Sequence, residues 1–378
     1  MSEIGFHTPD TESMKCSCFH RKNVTGRIRA RAGLAAIQRA SLKRGKSVKR
    51  YIVSFLVLML LLTGCGRQTA VETLTPEENR LVIYTSHKEE VYRPIIREFE
   101  ERTGIWVELV TGGSNELLTR LEQERVDPQA DVMFGGGVES LESCRELFET
   151  VHCVGCDQVP AALQDEQGAW VPFSALPLVL IYNPKLVDPD HLTGWRDLER
   201  PEFRGKIAFA DPTKSASSFT AVATVLQACG EETVLGFARN LGGEQLSSSG
   251  DVLTQVAAGE KLVGVTLEET ALQRISDGNN LALVYPAEGT SCVPDGTAIL
   301  KDAPHPDNAQ AFLEFTLSQP VQALLGSRFY RRSVRSDVTV PDSLPGELNL
   351  IDYDIPWVAQ NRDGILAKWT AGVEEGTA

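Results

Sequence analysis

Three times between residues 81 and 148 a short β-rich run gives way to a turn of glycine or hydroxyl residues, then to apolar positions at helical spacing. Leu81–Thr85 leads into Val91, Ile95, Ile96 and Phe99, closed by Gly104. Ile105–Val110 leads through Ser114 into Leu117, Leu118 and Leu121, and Asp131–Phe134 breaks at Gly135, Gly136 and Gly137 before a helix around Glu139–Phe148. Successive strand–helix units return each strand in the same direction, which predicts a parallel sheet flanked by helices and an α/β fold. The pattern resumes at Lys206–Ala210, where Asp211–Ser218 opens a helix carrying Phe219, Val222, Val225 and Leu226. Leu262–Thr266 and Leu281–Tyr285 are further strands, Asn308–Leu325 reads as an amphipathic helix, and Ile365–Thr370 ends a last one. Between the two blocks lies Pro172–Tyr182, long, apolar and proline-punctuated, as expected of a connection leaving one domain for another.

Ahead of this body, Lys49-Arg50 precede an apolar run from Tyr51 to Leu62 that ends in Leu62-Thr63-Gly64-Cys65. A membrane-spanning helix needs roughly 20 apolar residues, and this run has about a dozen. A positive flank, a short apolar core and small residues before a cysteine form a secretory signal. The ending also resembles the lipobox of bacterial lipoproteins, which implies lipidation at Cys65 and a chain held outside the cytoplasmic membrane. On this reading residues 1–47 are a basic lead, 48–64 the signal and 65–79 a polar tether. Synthesis starting at Val48 would give a signal of ordinary length, and N-terminal sequencing of the precursor tests it.

Of the 378 residues about 314 follow the signal, enough for two domains. The first 64 residues hold 12 of the 37 basic and 3 of the 51 acidic side chains, so the remainder carries 25 and 48, a net charge of −23. Such a body repels nucleic acid and anionic headgroups, leaving the anchor as its contact with the bilayer. It is expected to be monomeric. Past the anchor lie Cys144, Cys153, Cys156, Cys229 and Cys292, an odd number. The His152-Cys153-Val-Gly-Cys156 stretch is open to three readings: a structural disulfide or idle thiols, a metal site with Cys144, or a redox pair.

Catalytic patterns are missing. There is no GxSxG elbow, HExxH helix or Walker A loop, so no enzymatic activity, catalytic residue, resident metal or cofactor is expected. Ligands of open α/β sheets bind beyond the carboxyl ends of strands, where helix starts point N–H groups outward. Those positions hold Thr85, Ser86 and His87; Gly113 and Ser114; Gly136 and Gly137; Ser215, Ser217 and Ser218; and Glu268 and Glu269. Ser174, in the proline-punctuated connection, is also a candidate. Glycine admits close approach to backbone N–H groups, and hydroxyls donate hydrogen bonds, so the set suits an oxyanion. Any one of them also serves as an ordinary helix cap. His87 can be a satisfied helix-start residue, a ligand contact or a general base. Charge-assisted hydrogen bonds contribute about 1.5–3 kcal/mol each, so a micromolar site near −8 kcal/mol needs most of four or five engaged.

Together, Leu81–Glu90, Phe99–Val107, Ala130–Val132, Trp195–Leu198, Phe203–Pro212, Pro294-Asp-Gly296, Arg331–Arg335 and Leu350–Asp354 resemble the extracellular solute-binding proteins of ABC importers. The branch is the one that includes ferric-ion, phosphonate and hexose-phosphate binders. The resemblance implies a type II periplasmic-binding-protein fold: two lobes, each a mixed sheet flanked by helices, joined by a two-strand hinge and docking on an ABC permease. It places residues 80–175 and 286–378 in lobe I and 176–285 in lobe II. In the ferric branch a histidine follows the first strand, and His87 fits. A carboxylate expected after the third strand is replaced by Gly135–Gly137, and two expected tyrosines by Glu269-Thr270. The implied ligand is therefore a small anion, a phosphorylated sugar or an organophosphonate, with Glu268 or Glu269 holding hydroxyls or an amine at its other end. Ferric iron is the alternative; an orphan extracellular sensor or a CxxC thiol lipoprotein is the alternative of another class.

Overall fold

The computed structural model describes residues 76–377 apart from Cys153. The basic lead, the signal, Cys65 and the tether up to residue 75 lie outside the described residues. The chain runs β1 (Arg80–Thr85), α1 (Glu89–Thr103), β2 (Trp106–Thr111), α2 (Ser114–Gln123), β3 (Val132–Gly137) and a short α3 (Val138–Ser143). β1 pairs in parallel with both β2 and β3, as the repeated strand–helix pattern requires. Helix α1 turns Val91, Ile95, Ile96 and Phe99 inward and stops at Gly104, whose positive φ of 73° lets its N–H reach the Glu100 carbonyl. Phe99 meets Phe312 edge-on at 5.2 Å, and Phe134 packs on Phe173 beneath them.

β4 (Val171–Tyr182) then leaves this lobe. Its first half pairs with β8 (Cys292–Ile299), and its second half, from Leu178, pairs with β6 (Val263–Leu267) and β7 (Ala282–Val284). Leu178, Leu180 and Tyr182 face one apolar cluster, while Val179 and Ile181 face another. A strand buried on both faces is apolar throughout rather than alternating, and the connection expected over Pro172–Tyr182 is this strand. The second lobe adds β5 (Ile207–Ala208), α4 (Ala216–Cys229), α5 (Glu231–Asn240), α6 (Ser249–Ala258) and α7 (Glu268–Ser276). The chain returns through β8 to α8 (Pro306–Thr316), α9 (Gln319–Phe329) and β9 (Arg332–Ser333), and finishes in α10 (Ile355–Gln360) and α11 (Arg362–Glu375).

Strand order β2-β1-β3-β8-β4-β6-β5 makes one sheet shared by two lobes, with β4 and the run into β8 as the two crossings. The fold is the two-lobed type II arrangement. Its sheet is mixed rather than parallel, because β8 enters antiparallel between β3 and β4 after the chain has visited the second lobe. Three details differ from the sequence reading. The single helix expected over Asn308–Leu325 is two, since Pro320 lacks an N–H and sits in the first turn of α9. β3 continues through the glycines as far as Gly137, with its register against β8 slipping between Phe134 and Gly137. Val358, Ile365, Trp369 and Val373, expected with lobe I, pack among Phe209, Phe219 and Phe237 of the second lobe.

Candidate functional site

A cavity of about 300 Å³ opens where the strand ends of the two lobes face each other. The first lobe contributes Ser86, His87 and Lys88 from the β1–α1 turn, Gly113 and Ser114 from the start of α2, and Gly136 and Gly137 from the end of β3. The second contributes Lys214, Ser215 and Ser217 at the start of α4, Ser247, Ser248 and Ser249 at the start of α6, and Glu269 and Thr270 in the first turn of α7. Helices α1, α2, α4, α6 and α7 therefore all begin at this cavity. The walls touch: Lys88 Nζ donates to Thr270 Oγ1 at 3.4 Å, and Asn115 Nδ2 to the Thr213 carbonyl at 3.3 Å.

Of the residues expected at the site, Ser86, His87, Gly113, Ser114, Gly136, Gly137, Ser215, Ser217 and Glu269 line the cavity. Thr85, Ser174, Ser218 and Glu268 do not; they stand behind it. The Thr85 hydroxyl donates to the Phe134 carbonyl at 2.7 Å and accepts the His87 N–H at 3.2 Å, fixing the turn. Ser218 donates its N–H and hydroxyl to Ser215 Oγ, the cap of α4. Glu268 is fully buried and saturated by Arg332, which donates from Nε and Nη2 at 2.8 Å each, and by the Tyr285 hydroxyl at 2.6 Å. Sequence reasoning missed Lys88, Lys214, Ser247–Ser249, Thr270, Asp295 and Arg331. Asp295 lay within the Pro294-Asp-Gly296 motif and Arg331 opened the Arg331–Arg335 run, but neither sits at a strand-to-helix turn.

Asp295 and Arg331 build the floor. Arg331 Nη1 donates to Asp295 Oδ2 at 2.6 Å and to Ser174 Oγ at 3.0 Å. The Ser174 N–H and hydroxyl both donate to Asp295 Oδ1 at 2.8 Å. Burial alone would lower the Arg331 proton affinity, but Asp295 and Glu269 outweigh it and hold it above the usual guanidinium value. Glu269 Oε1 stands 3.6 Å from Arg331 Nη2.

His87 is wedged between Phe134 and Phe173, with ring centroids at 4.4 and 5.1 Å. Burial pushes its imidazole down to about 4; Asp295 pulls the other way, and Arg331 adds to the lowering. At neutral pH it is uncharged, and its buried Nε2 has no hydrogen-bond partner among the described residues. Gly135 makes room for it: a Cβ there would lie 2.9 Å from Ser86 Oγ and 3.1 Å from His87 Nε2, and its φ of 105° disfavours any side chain. Deeper between the lobes, buried Glu139 on α3 accepts from Thr220 Oγ1 on α4 at 2.8 Å and from the Tyr353 hydroxyl at 2.9 Å. Burial raises its carboxyl, with those two donors and Arg362 working against it.

The sequence from residue 81 to 331 matches the model of the bacterial extracellular solute-binding protein family. The chain belongs to that family. Relatives of this solute-binding protein of ABC importers include iron uptake protein A1 of Synechocystis sp., 26% identical over 304 residues, 75% of this chain and 84% of the relative. A putative 2-aminoethylphosphonate-binding periplasmic protein of Salmonella typhimurium is also 26% identical, over 65% of this chain and 74% of its own. Among solved structures, the periplasmic binding protein AfuA from Actinobacillus pleuropneumoniae, with fructose-6-phosphate bound, superposes at a TM-score of 0.72 and 27% identity. That match covers 78% of this chain and 98% of AfuA.

Proposed function

We propose that this solute-binding protein captures a small anion of the phosphorylated-sugar or organophosphonate class between its lobes and delivers it to a membrane permease. The observation that carries the reading is the convergence of five helix starts, from both lobes, on one cavity edged by Lys88 and Lys214. Each start offers N–H groups without intrahelical partners and the positive end of a helix dipole. These local fields act inside a few ångströms, where the −23 net charge of the body is screened over a Debye length of about 8–10 Å. Lys214 is partly neutralised by Asp211 at 2.9 Å, so the amides and hydroxyls carry most of the attraction. A lipid on Cys65 would hold the protein, as a monomer, beside its permease.

Ferric iron is a second reading, favoured by His87 and Glu269 opening on the same cavity. Among the described residues no tyrosine lines that cavity, and no group of three or more His, Cys, Asp or Glu side chains is placed to hold a metal ion. An iron cargo would therefore bring its own oxygen ligands, as citrate does. Thiol chemistry finds less support: Cys156 is disulfide-bonded, Cys144, Cys229 and Cys292 are free, and burial pushes Cys292 up to about 12. Calorimetric titration with fructose-6-phosphate, 2-aminoethylphosphonate and ferric citrate tests the assignment. Micromolar or tighter binding of a phosphorus compound is expected; tight ferric binding with no response to either would overturn it. Substituting Cys65 with serine should release the protein from the membrane fraction, and uptake of the solute should cease when the gene is deleted.

A further inference from the structure

The last part of the chain crosses the hinge. The Thr290 N–H donates to the Asn349 carbonyl at 2.9 Å, and the Ile351 N–H to the Thr290 carbonyl at 3.0 Å. The Thr290 hydroxyl donates in turn to the Leu178 carbonyl at 2.8 Å, where β4 leaves its pairing with β8 and joins β6. Beyond this point the chain touches both lobes. The Tyr353 ring packs against an apolar cluster of each, and the Asp354 N–H donates to Gln227 Oε1 on α4 at 3.0 Å. Then α10 lies on α3 of the first lobe, while α11 is built into the core of the second.

Glu139, on α3, sits at this junction and is only 2% exposed. Both side chains that donate to its Oε1 come from elsewhere: Thr220 at 2.8 Å from α4 of the second lobe, and Tyr353 at 2.9 Å from the C-terminal segment. The cation whose field acts on it, Arg362, rests 4.1 Å over the Phe219 ring in the second lobe. Thr220 also lines the cavity, which Glu139 itself does not reach. We propose that Glu139, Thr220 and Tyr353 form a latch that holds the lobes together when no solute is bound, with Glu139 as the positioning residue through which the C-terminal segment acts on the cavity. The inference goes beyond the transport reading and does not depend on which solute the cavity takes. Hinge opening carries Thr220 and Arg362 away with the second lobe and lets water reach Glu139. Removing one donor therefore costs the closed form a charge-assisted hydrogen bond, while the open form, where water takes that place, loses almost nothing. An amide at position 139 keeps the acceptor without the charge, so it depends less on its donors. Burial and Glu139 push the Tyr353 phenol well above its ordinary value, so it remains a donor at neutral pH.

Deuterium exchange of the protein without added solute, at pH 7, reads opening as faster exchange in α3 and the first turns of α4, the elements that meet at Glu139. Tyr353→Phe keeps the ring and its packing and removes only the hydroxyl. It should speed exchange there by at least about tenfold, the equivalent of one hydrogen bond to a charged group, and leave β6 in the second lobe unchanged. Thr220→Val, which removes the other donor, should act in the same direction. Glu139→Gln placed in either variant should bring the rate back to within about threefold of wild type, a rescue that lost packing alone would not show. Unchanged exchange in both Y353F and T220V overturns the latch. So does an acceleration that extends equally to β6, which marks general destabilisation, or one that E139Q fails to relieve.

Discussion

Replacing Arg331 with methionine keeps a long unbranched side chain in the floor but removes its charge. Asp295 would retain the Ser174 N–H and hydroxyl at 2.8 Å and lose the guanidinium at 2.6 Å. Glu269 would lose the one basic group within 4 Å of it among the described residues. Two carboxylates then remain buried with no counter-charge. Breaking a buried pair from one side costs about 3–5 kcal/mol. In a body of this size each kcal/mol moves the melting temperature by about 2–4 °C, so R331M should melt about 6–20 °C lower. The double variant R331M/D295N removes both charges, leaves an amide that Ser174 can still bond, and should recover more than half of that loss. Thermal unfolding at pH 7, followed by circular dichroism for wild type, both single variants and the double, closes the cycle. A coupling of at least about 2 kcal/mol is expected. R331M melting within about 2 °C of wild type, or a double variant that loses the sum of the singles, would refute the account of the floor.

Gly135→Ala should destabilise the fold by about 1–3 kcal/mol through its positive φ, and should weaken ligand binding by pushing Ser86 and His87 aside; calorimetry and melting read the two effects separately. Folding holds the proton affinity of His87 down to about 4 against 6.5 in the unfolded chain. The unfolded state therefore protonates first as pH falls, so stability is intact above pH 6.5 and declines toward pH 4, by about 3 kcal/mol from this residue. Urea unfolding across that range should show the slope in the wild type and a shallower one in H87F. Changing both Cys153 and Cys156 to serine should leave ligand affinity unchanged; a lost or altered affinity would point back to the thiol reading.

What could be read from the sequence follows from which interactions are local. The strand–helix units announce themselves within about 20 residues each, so β1, β2, β3 and their helices were legible, and with them the small residues at each helix start. Strand alternation explains the near misses: Thr85 turns into the fold and its neighbour Ser86 faces the cavity. Adjacent positions on a helix point about 100° apart, which sends Glu268 to Arg332 and Glu269 to the cavity. Asp295 and Arg331 escaped because long-range pairing brings them in: β8 joins β3 and β4, and β9 joins β4 beside Ser174. Ser247–Ser249 arrive the same way, through the backbone bond from the Leu246 N–H to the Phe209 carbonyl at 2.9 Å. Local periodicity holds no trace of such pairings.

One strand, β4, runs through both lobes, and β3 waits for β8, Val132 pairing with Ile299. A polypeptide emerging from its N-terminus cannot complete the first lobe until almost 300 residues have appeared, and contacts so distant along the chain form slowly. Cutting after Tyr285 should leave neither lobe folded, as limited proteolysis of the fragment would show. In a member of an extracellular solute-binding family, so late a closure would keep the polypeptide open and threadable until nearly all of it has been made.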